Sequence, residues 1–167
     1  EKAGLFPRTG SAVSAPEARM GVPTDTVLKQ AQTQALKEGA SPVWLDRMGL
    51  ITGLAVDLIP GKPPHTVLRF DMDAVDVEES HSMEHRPYRE GFVSLHPGIS
   101  HACGHDGHLA IGLGLALELA RYRSRLRYNV RLLFQPGEEG CRGACSMAAA
   151  GMLDGARHFL TAHIGMR

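Results

Sequence analysis

The stretch His101-Ala102-Cys103-Gly104-His105-Asp106-Gly107-His108 decides how the rest of the chain is read. It places imidazoles, a thiol and a carboxylate among small residues. Directly after it comes the apolar run Leu109-Ala110-Ile111-Gly112-Leu113-Gly114-Leu115-Ala116-Leu117. Leu109, Leu113, Leu117 and Ala120 recur at helical spacing, and Ile111 and Leu115 make the segment apolar nearly all round. The pattern predicts a largely buried helix from about Asp106 to Arg121. The polar cluster then stands at a helix start, where unpaired backbone N–H groups favour anionic ligands. Thiolate and imidazole are natural ligands of zinc and its first-row neighbours. A merely His-rich surface loop is the weaker reading, because such loops rarely set Cys and His against a hydrophobic helix.

Working outward, Gly49 to Ile59 is β-like and Pro60-Gly61-Lys62-Pro63-Pro64 is a turn. Thr66 to Phe70 is a second strand, and the two read as a hairpin or as neighbouring strands. The second strand runs into Asp71-Met72-Asp73-Ala74. Residues 76–100 form a long polar loop bearing His81, His85 and His96, and loops of that length inside a domain are usually functional. Downstream, the basic stretch Arg121 to Arg127 reads as a solvated helix end. Asn129 to Phe134 is a strand leading into Gln135-Pro136-Gly137-Glu138-Glu139-Gly140. A short helix is expected around Gly143 to Ala150, and His158 to Ala162 is a strand that delivers His163. At the front, residues 1–23 are rich in Pro, Gly, Ser and Ala and read as loop or an ill-ordered lead-in. Thr24 or Asp25 caps a polar surface helix ending near Glu38, and Pro42 to Met48 adds a helical turn with Trp44. The alternation of strand and helix predicts an α/β domain with a largely parallel sheet.

The polar residues fall at informative places. Asp71 and Asp73 close one strand, Glu138 and Glu139 the next, and His163 the last. Cys103 and His105 open the helix between the first two. In open α/β sheets, sites lie beyond the carboxyl ends of the strands, so these residues are expected to meet in one cleft. Singly, each has a plain reading: Glu-Glu as a solvated turn, His163 as a hydrogen-bonded core residue, Asp71 and Asp73 as turn caps. Their joint occurrence favours a site. Two adjacent carboxylates repel unless a cation intervenes or one takes a proton. A natural division places one glutamate on a metal ion and the other on the attacking water, as general base and later as acid to a leaving amine. Metal-assisted hydrolysis of an amide is the simplest reaction such a set supports.

Composition excludes other classes. The 167 residues suffice for one domain. Lys plus Arg and Asp plus Glu are both 18, so no basic field exists to hold nucleic acid or an anionic membrane. The longest apolar run is too short to span a bilayer, and no signal peptide is visible. The first residue is not Met, which points to a chain trimmed at its front. An odd number of cysteines (Cys103, Cys141 and Cys145) argues for a reducing, cytoplasmic setting. Cys141 and Cys145 read as small core residues rather than a redox pair. Gly112-x-Gly114 lacks the strand and third glycine of a dinucleotide fingerprint, and no Gly-x-Ser-x-Gly is present.

Phe70 to Ala74, His101 to His108, Phe134 to Glu139 and Ala162-His163-Ile164-Gly165 resemble, in order, the motifs of the binuclear metallo-amidohydrolases. That family includes aminoacylases, glutamate carboxypeptidases, hippurate hydrolases and indole-acetyl-amino-acid hydrolases. The Cys-Gly-His form resembles its amidohydrolase branch. Ala18 to Pro23 and His85 to Phe92 are most similar to members that hydrolyse p-aminobenzoyl-glutamate. The resemblance implies two divalent ions, Mn2+ or Zn2+. Cys103 matches the bridging ligand, and His105, Glu139 and His163 match further metal ligands. Glu138 matches the general base, and Asp73 an acidic residue that supports the site from behind. The implied fold is a three-layer αβα catalytic domain with an inserted, smaller, often dimerising domain. Gly137 stands where alanine is common, a change expected to be silent. Family chains continue past Arg167 to a last histidine ligand, so residues 24–167 are expected to be the front half of a catalytic domain, inactive alone. The implied partners are an N-acyl amino acid substrate and, for the complete protein, a second copy or a different companion chain. Hippurate-type or indole-acyl-type hydrolysis is the alternative. A non-catalytic metal-binding remnant is another, disfavoured because structural zinc sites usually show paired Cys-x-x-Cys spacing. A partner chain that completes the site is a third.

Overall fold

In the computed structural model, residues 3–165 are described. Strand β1 (Arg8–Thr9) is followed by two short 3-10 turns, then by helices α1 (Asp25–Lys37) and α2 (Pro42–Met48). Strands β2 (Leu54–Asp57) and β3 (Thr66–Asp71) come next, then α3 (Arg86–Glu90) and α4 (His105–Arg121). Strand β4 (Val130–Gln135), helix α5 (Gly143–Ala149) and strand β5 (His158–Thr161) complete the order. The strands form one five-stranded sheet in the order β1-β2-β4-β3-β5.

Helices cover both faces, which makes the expected three-layer αβα arrangement. Period-two alternation in the strands sorts the core into two clusters. Leu132 and Phe134 of β4 join Val56, Leu58, Ala116 and Leu5 on the α4 face. Leu133 joins Ala55, Val67, Val13, Met147 and Met152 on the α5 face. Helix α4 approaches closely because it turns Gly112 to the sheet: a Cβ there would stand 2.7 Å from Phe134 and 2.8 Å from Phe70.

Several expectations are corrected. β2 and β3 do not pair with each other; β4 lies between them, antiparallel to β2 and parallel to β3. The linking Pro60, Pro63 and Pro64 lack N–H donors and cannot make a tight hairpin turn. Buried Asn129 pins that link instead: its amide donates to Asp57 and to the Lys62 carbonyl, and its oxygen accepts from Ile59 N–H. The sheet is therefore mixed, parallel across β4-β3-β5 and antiparallel across β1-β2-β4. The front of the chain is not mere loop. β1 extends the sheet edge beside β2, and Val13 is fully buried in the α5-face core. A two-residue strand is too short to betray itself by periodicity.

Helix α4 is not largely buried. His105, His108, Gly112 and Ala116 face inward, while Ile111, Leu113 and Leu117 are exposed. Cys141 and Cys145 are exposed, not core, because α5 packs through Gly143, Ser146 and Met147. Helices α1 and α2 sit where the sequence places them, and none of their residues is buried. The long 76–100 segment is loop apart from α3, and its ends are tied by a Val75–Ser100 bridge. Among the described residues, no helix is long and apolar enough to cross a membrane.

Candidate metal centre

Three parallel strands, β4, β3 and β5, end side by side, and Arg69 ties their ends together. Its Nε donates to Gln135 Oε1 of β4 at 3.0 Å, and its Nη1 reaches Thr161 of β5 at 3.4 Å. The same Nη1 pairs with Asp71 Oδ2 at 2.8 Å. Just beyond these ends, α4 begins. Gly104 precedes it with φ 87°, a conformation that lets the chain turn from Cys103 straight into the helix.

His105, the first residue of α4, is fully buried and central. Its Nδ1–H donates to the Asp73 carbonyl oxygen at 2.9 Å, which leaves Nε2 bare. Nε2 is buried and, among the described residues, has no hydrogen-bond partner. It lies 3.9 Å from Glu138 Oε2, 3.9 Å from Glu139 Oε1 and 3.7 Å from Asp71 Oδ1. Those separations are too long for hydrogen bonds. Across the same space, Cys103 Sγ lies 3.4 Å from His163 Nε2, and His163 Nδ1 donates to the Ile164 carbonyl. Asp73 stands behind: its Oδ2 accepts from Glu139 N–H at 3.0 Å, and its Oδ1 lies 3.3 Å from His105 Nδ1.

Donor atoms from three sets of residues each gather within 4.8 Å: Cys103, His105 and His163; His105, Glu138 and Glu139; and Asp71, His105 and His108. His105 belongs to all three. The electrostatics carry the same message. A hydrogen bond to Glu139 pushes the Cys103 thiol up to about 11, helped by burial and by the charges of Glu139, Glu138 and Asp71. Burial pushes the Asp71 carboxyl up, but the hydrogen bond to His108 and the charges of Arg69, His105 and His108 outweigh it, so the group lies below its ordinary value. Bare imidazole nitrogen, thiol and carboxylates converging without a cation is an incomplete charge balance. A divalent ion fits it, because these are the donors that zinc and manganese take.

The structure thus brings together Cys103, His105, Glu138, Glu139 and His163, with Asp73 behind His105. His101 is exposed and belongs to none of the three clusters among the described residues. Sequence reasoning set Asp71 in the cleft and His108 in the deciding stretch without a specific role for either, and gave Arg69 none. Asp71 and His108 are buried and touch through Oδ1 and Nδ1, and His108 Nε2 accepts from Ile164 N–H at 2.8 Å. A usable signal existed for His108, which falls three residues after His105 on the same helix face. For Arg69, an arginine inside an apolar strand was the only hint.

The fold and donor set define an α/β protein with a metal-type centre at the carboxyl ends of its parallel strands. Residues 67–166 match Peptidase family M20/M25/M40, and the chain belongs to that family. It is 48% identical over 151 residues to indole-3-acetyl-aspartic acid hydrolase of Enterobacter agglomerans, an alignment covering 89% of this chain and 35% of the relative. It is 46% identical over 149 residues to one of the subunits of p-aminobenzoyl-glutamate hydrolase from Escherichia coli strain K12, covering 88% and 34%. The chain thus spans about a third of the length of these curated relatives. Among solved structures, an aminobenzoyl-glutamate utilization protein from Klebsiella pneumoniae superposes with a TM-score of 0.74 at 34% identity, covering 99% of this chain and 36% of that one. The Bacillus subtilis YXEP protein, described as a dinuclear metal binding peptidase from the M20 family, superposes at 0.59 with 26% identity, covering 95% and 40%.

Proposed function

We propose that the chain is the front part of an M20 amidohydrolase catalytic domain that hydrolyses the amide bond between an aromatic acyl group and an acidic amino acid. The best candidate substrate is p-aminobenzoyl-glutamate. Indole-3-acetyl-aspartate is the second reading, favoured by the 48% identity to an enzyme named for it. The observation that carries the proposal is the buried, unpartnered Nε2 of His105, facing two glutamates on one side and Cys103 with His163 on the other.

In this reading Cys103, His105, Glu139 and His163 hold two divalent ions, Mn2+ or Zn2+. The ions supply Lewis-acid polarisation of the scissile carbonyl and make the nearby water acidic. Glu138, partly exposed at the mouth of the cluster, takes a proton from the attacking water and returns it to the leaving amine nitrogen. Asp73 orients His105 through Nδ1 and fixes the Glu139 backbone, as a partner behind a metal ligand does. The chain spans about a third of the length of its curated relatives, so the activity proposed is that of the complete protein. The complete enzyme acts in the cytoplasm, a setting that suits its free thiols, and assembles as a homodimer or with a different companion chain. The test is Glu138→Gln in the full-length protein. Turnover of p-aminobenzoyl-glutamate is abolished while metal content stays unchanged; retained turnover overturns the role of Glu138.

A further inference from the structure

His163 is exposed and lies beyond the last paired residue of an edge strand. The register between β3 and β5 ends at Arg69 opposite Thr161, two positions before it, and every side chain of β5 is exposed. Sheet pairing therefore does not aim the His163 ring. What reaches this part of the chain is His108, one helical turn beyond His105. Its ring is buried and both nitrogens are committed: Nδ1–H donates to Asp71 Oδ1, and Nε2 accepts from Ile164 N–H at 2.8 Å. Ile164 N–H belongs to the same peptide unit as the His163 carbonyl, so this bond fixes the plane that carries His163. The His108 ring also meets the His163 ring edge-on, with centroids 4.7 Å apart and planes at 82°. Behind it, Arg69 pairs with Asp71 and reaches Gln135 and Thr161, which anchors the relay to all three parallel strands.

We propose that His108 is a positioning residue, which holds the His163–Ile164 peptide so that His163 Nε2 faces Cys103. Both of its ring nitrogens are engaged by protein groups, so it does not itself serve as a ligand, although its donor atoms gather with those of Asp71 and His105. The inference rests on the metal reading above for the purpose of His163, and on geometry alone for the bond to Ile164.

Two amide replacements separate the two nitrogens. His108→Asn keeps a donor for Asp71 but has no acceptor within reach of Ile164; His108→Gln places an oxygen near the position of Nε2. The full-length protein is loaded with Co2+, and its visible spectrum and Co2+ affinity are recorded for both variants, with His163→Ala as reference. The expected result is that His108→Asn shifts the spectrum towards that of His163→Ala and weakens Co2+ binding about ten- to a hundred-fold, while His108→Gln stays close to wild type. Wild-type spectrum and affinity in His108→Asn overturn the proposal, and so does equal impairment of the two variants. A His163→Ala spectrum identical to wild type overturns the metal reading as well, so the two failures are distinct. Hydrogen exchange of the metal-free wild type gives a check that needs no folded variant. The Ile164 amide is expected to be protected, and exchange at the rate of an open peptide overturns the proposal.

Discussion

Cys103 Sγ lies 3.4 Å from His163 Nε2, although sixty residues separate the two along the chain. One residue ends the loop before α4, and the other follows an edge strand. Their meeting closes one side of the donor cluster, and His105 Nε2 faces it from the buried side. The charges gathered around this pair govern how the thiol reacts.

Without metal, Cys103 is expected to be a poor nucleophile. Its thiol is raised to about 11, first by the hydrogen bond to Glu139 and then by burial and neighbouring carboxylates. At pH 8 only about one molecule in a thousand carries the thiolate that reacts. Alkylation followed by mass spectrometry between pH 7 and pH 11 should show Cys103 slow at first and accelerating towards pH 11. Exposed Cys141 and Cys145 provide the internal comparison. Rapid labelling of Cys103 at pH 7 would contradict these electrostatics.

Among the described residues, His105 is common to all three donor clusters, whereas Glu138 enters one. Calorimetric titration of the chain with Mn2+ or Zn2+ should therefore show binding that His105→Ala abolishes and Glu138→Gln spares. Binding that survives His105→Ala would place the ion elsewhere.

Gly143 opens α5 directly against the turn that leads to Glu138. A Cβ at this position would stand 1.6 Å from the Pro136 carbonyl oxygen, a backbone atom that cannot swing aside. Gly143→Ala is expected to cost about 3 kcal/mol or more, at the upper end for overpacking. Urea unfolding measures the loss. In the full-length enzyme the same change should lower turnover, because the Pro136–Glu138 turn must move. A stability within about 0.5 kcal/mol of wild type would show that the approach is looser than this geometry.

Asn129 makes three side-chain hydrogen bonds from a buried position, and they secure the link between β2 and β3. Asn129→Ala removes the side-chain partner of Ile59 N–H and of the Lys62 carbonyl, and one donor of Asp57, which keeps Arg8 and Arg131. The expected cost is about 2–4 kcal/mol, since buried groups left unpaired cost about 1–3 kcal/mol each and some regain water. Thermal or urea denaturation reads this directly.

The 76–100 loop should respond to acid. Glu79 accepts from His85 Nε2 at 2.9 Å and from Ser94 N–H at 2.6 Å. Chiefly through the His85 bond, then the Ser94 bond, its carboxyl lies below the ordinary value. A depressed folded value means that the stabilisation is fully present above the unfolded value, about 4.3, and is lost as pH falls through the folded one. Hydrogen exchange across residues 76–100 should loosen below about pH 4 in wild type, whereas Glu79→Gln should be loose and nearly independent of pH there. Identical pH profiles for the two would remove Glu79 from this role.

Much of the site was legible along the chain because its residues occupy element ends. Asp73 follows a strand, Cys103 and His105 begin a helix, Glu138 and Glu139 follow the next strand, and His163 follows the last. Apolar runs mark the elements, and polar residues at their ends mark the mouth of an α/β sheet. Less was legible where partners are distant. Asp71 and His108 are separated by the whole 76–100 loop, and nothing local says that one ring bridges strand β3 to the peptide after His163. The apolar appearance of α4 misled for a related reason. Periodicity reports that a helix has apolar faces, not that every such face is covered, and Ile111, Leu113 and Leu117 are exposed.

By itself the sequence determined the chemistry: a thiol, imidazoles and paired carboxylates, each at the end of a strand or the start of a helix. It also determined the α/β class, because local periodicity and breakers act over a few residues and are written in order. Only the tertiary structure decided that β4 inserts between β2 and β3, that β1 joins the sheet edge, and that Arg69, Asp71 and His108 form one chain of contacts from β3 to the Ile164 amide. Those outcomes depend on which strands find each other and on which buried polar atoms must find partners. Such long-range satisfaction of hydrogen bonds is a property of the assembled core, not of any stretch of chain.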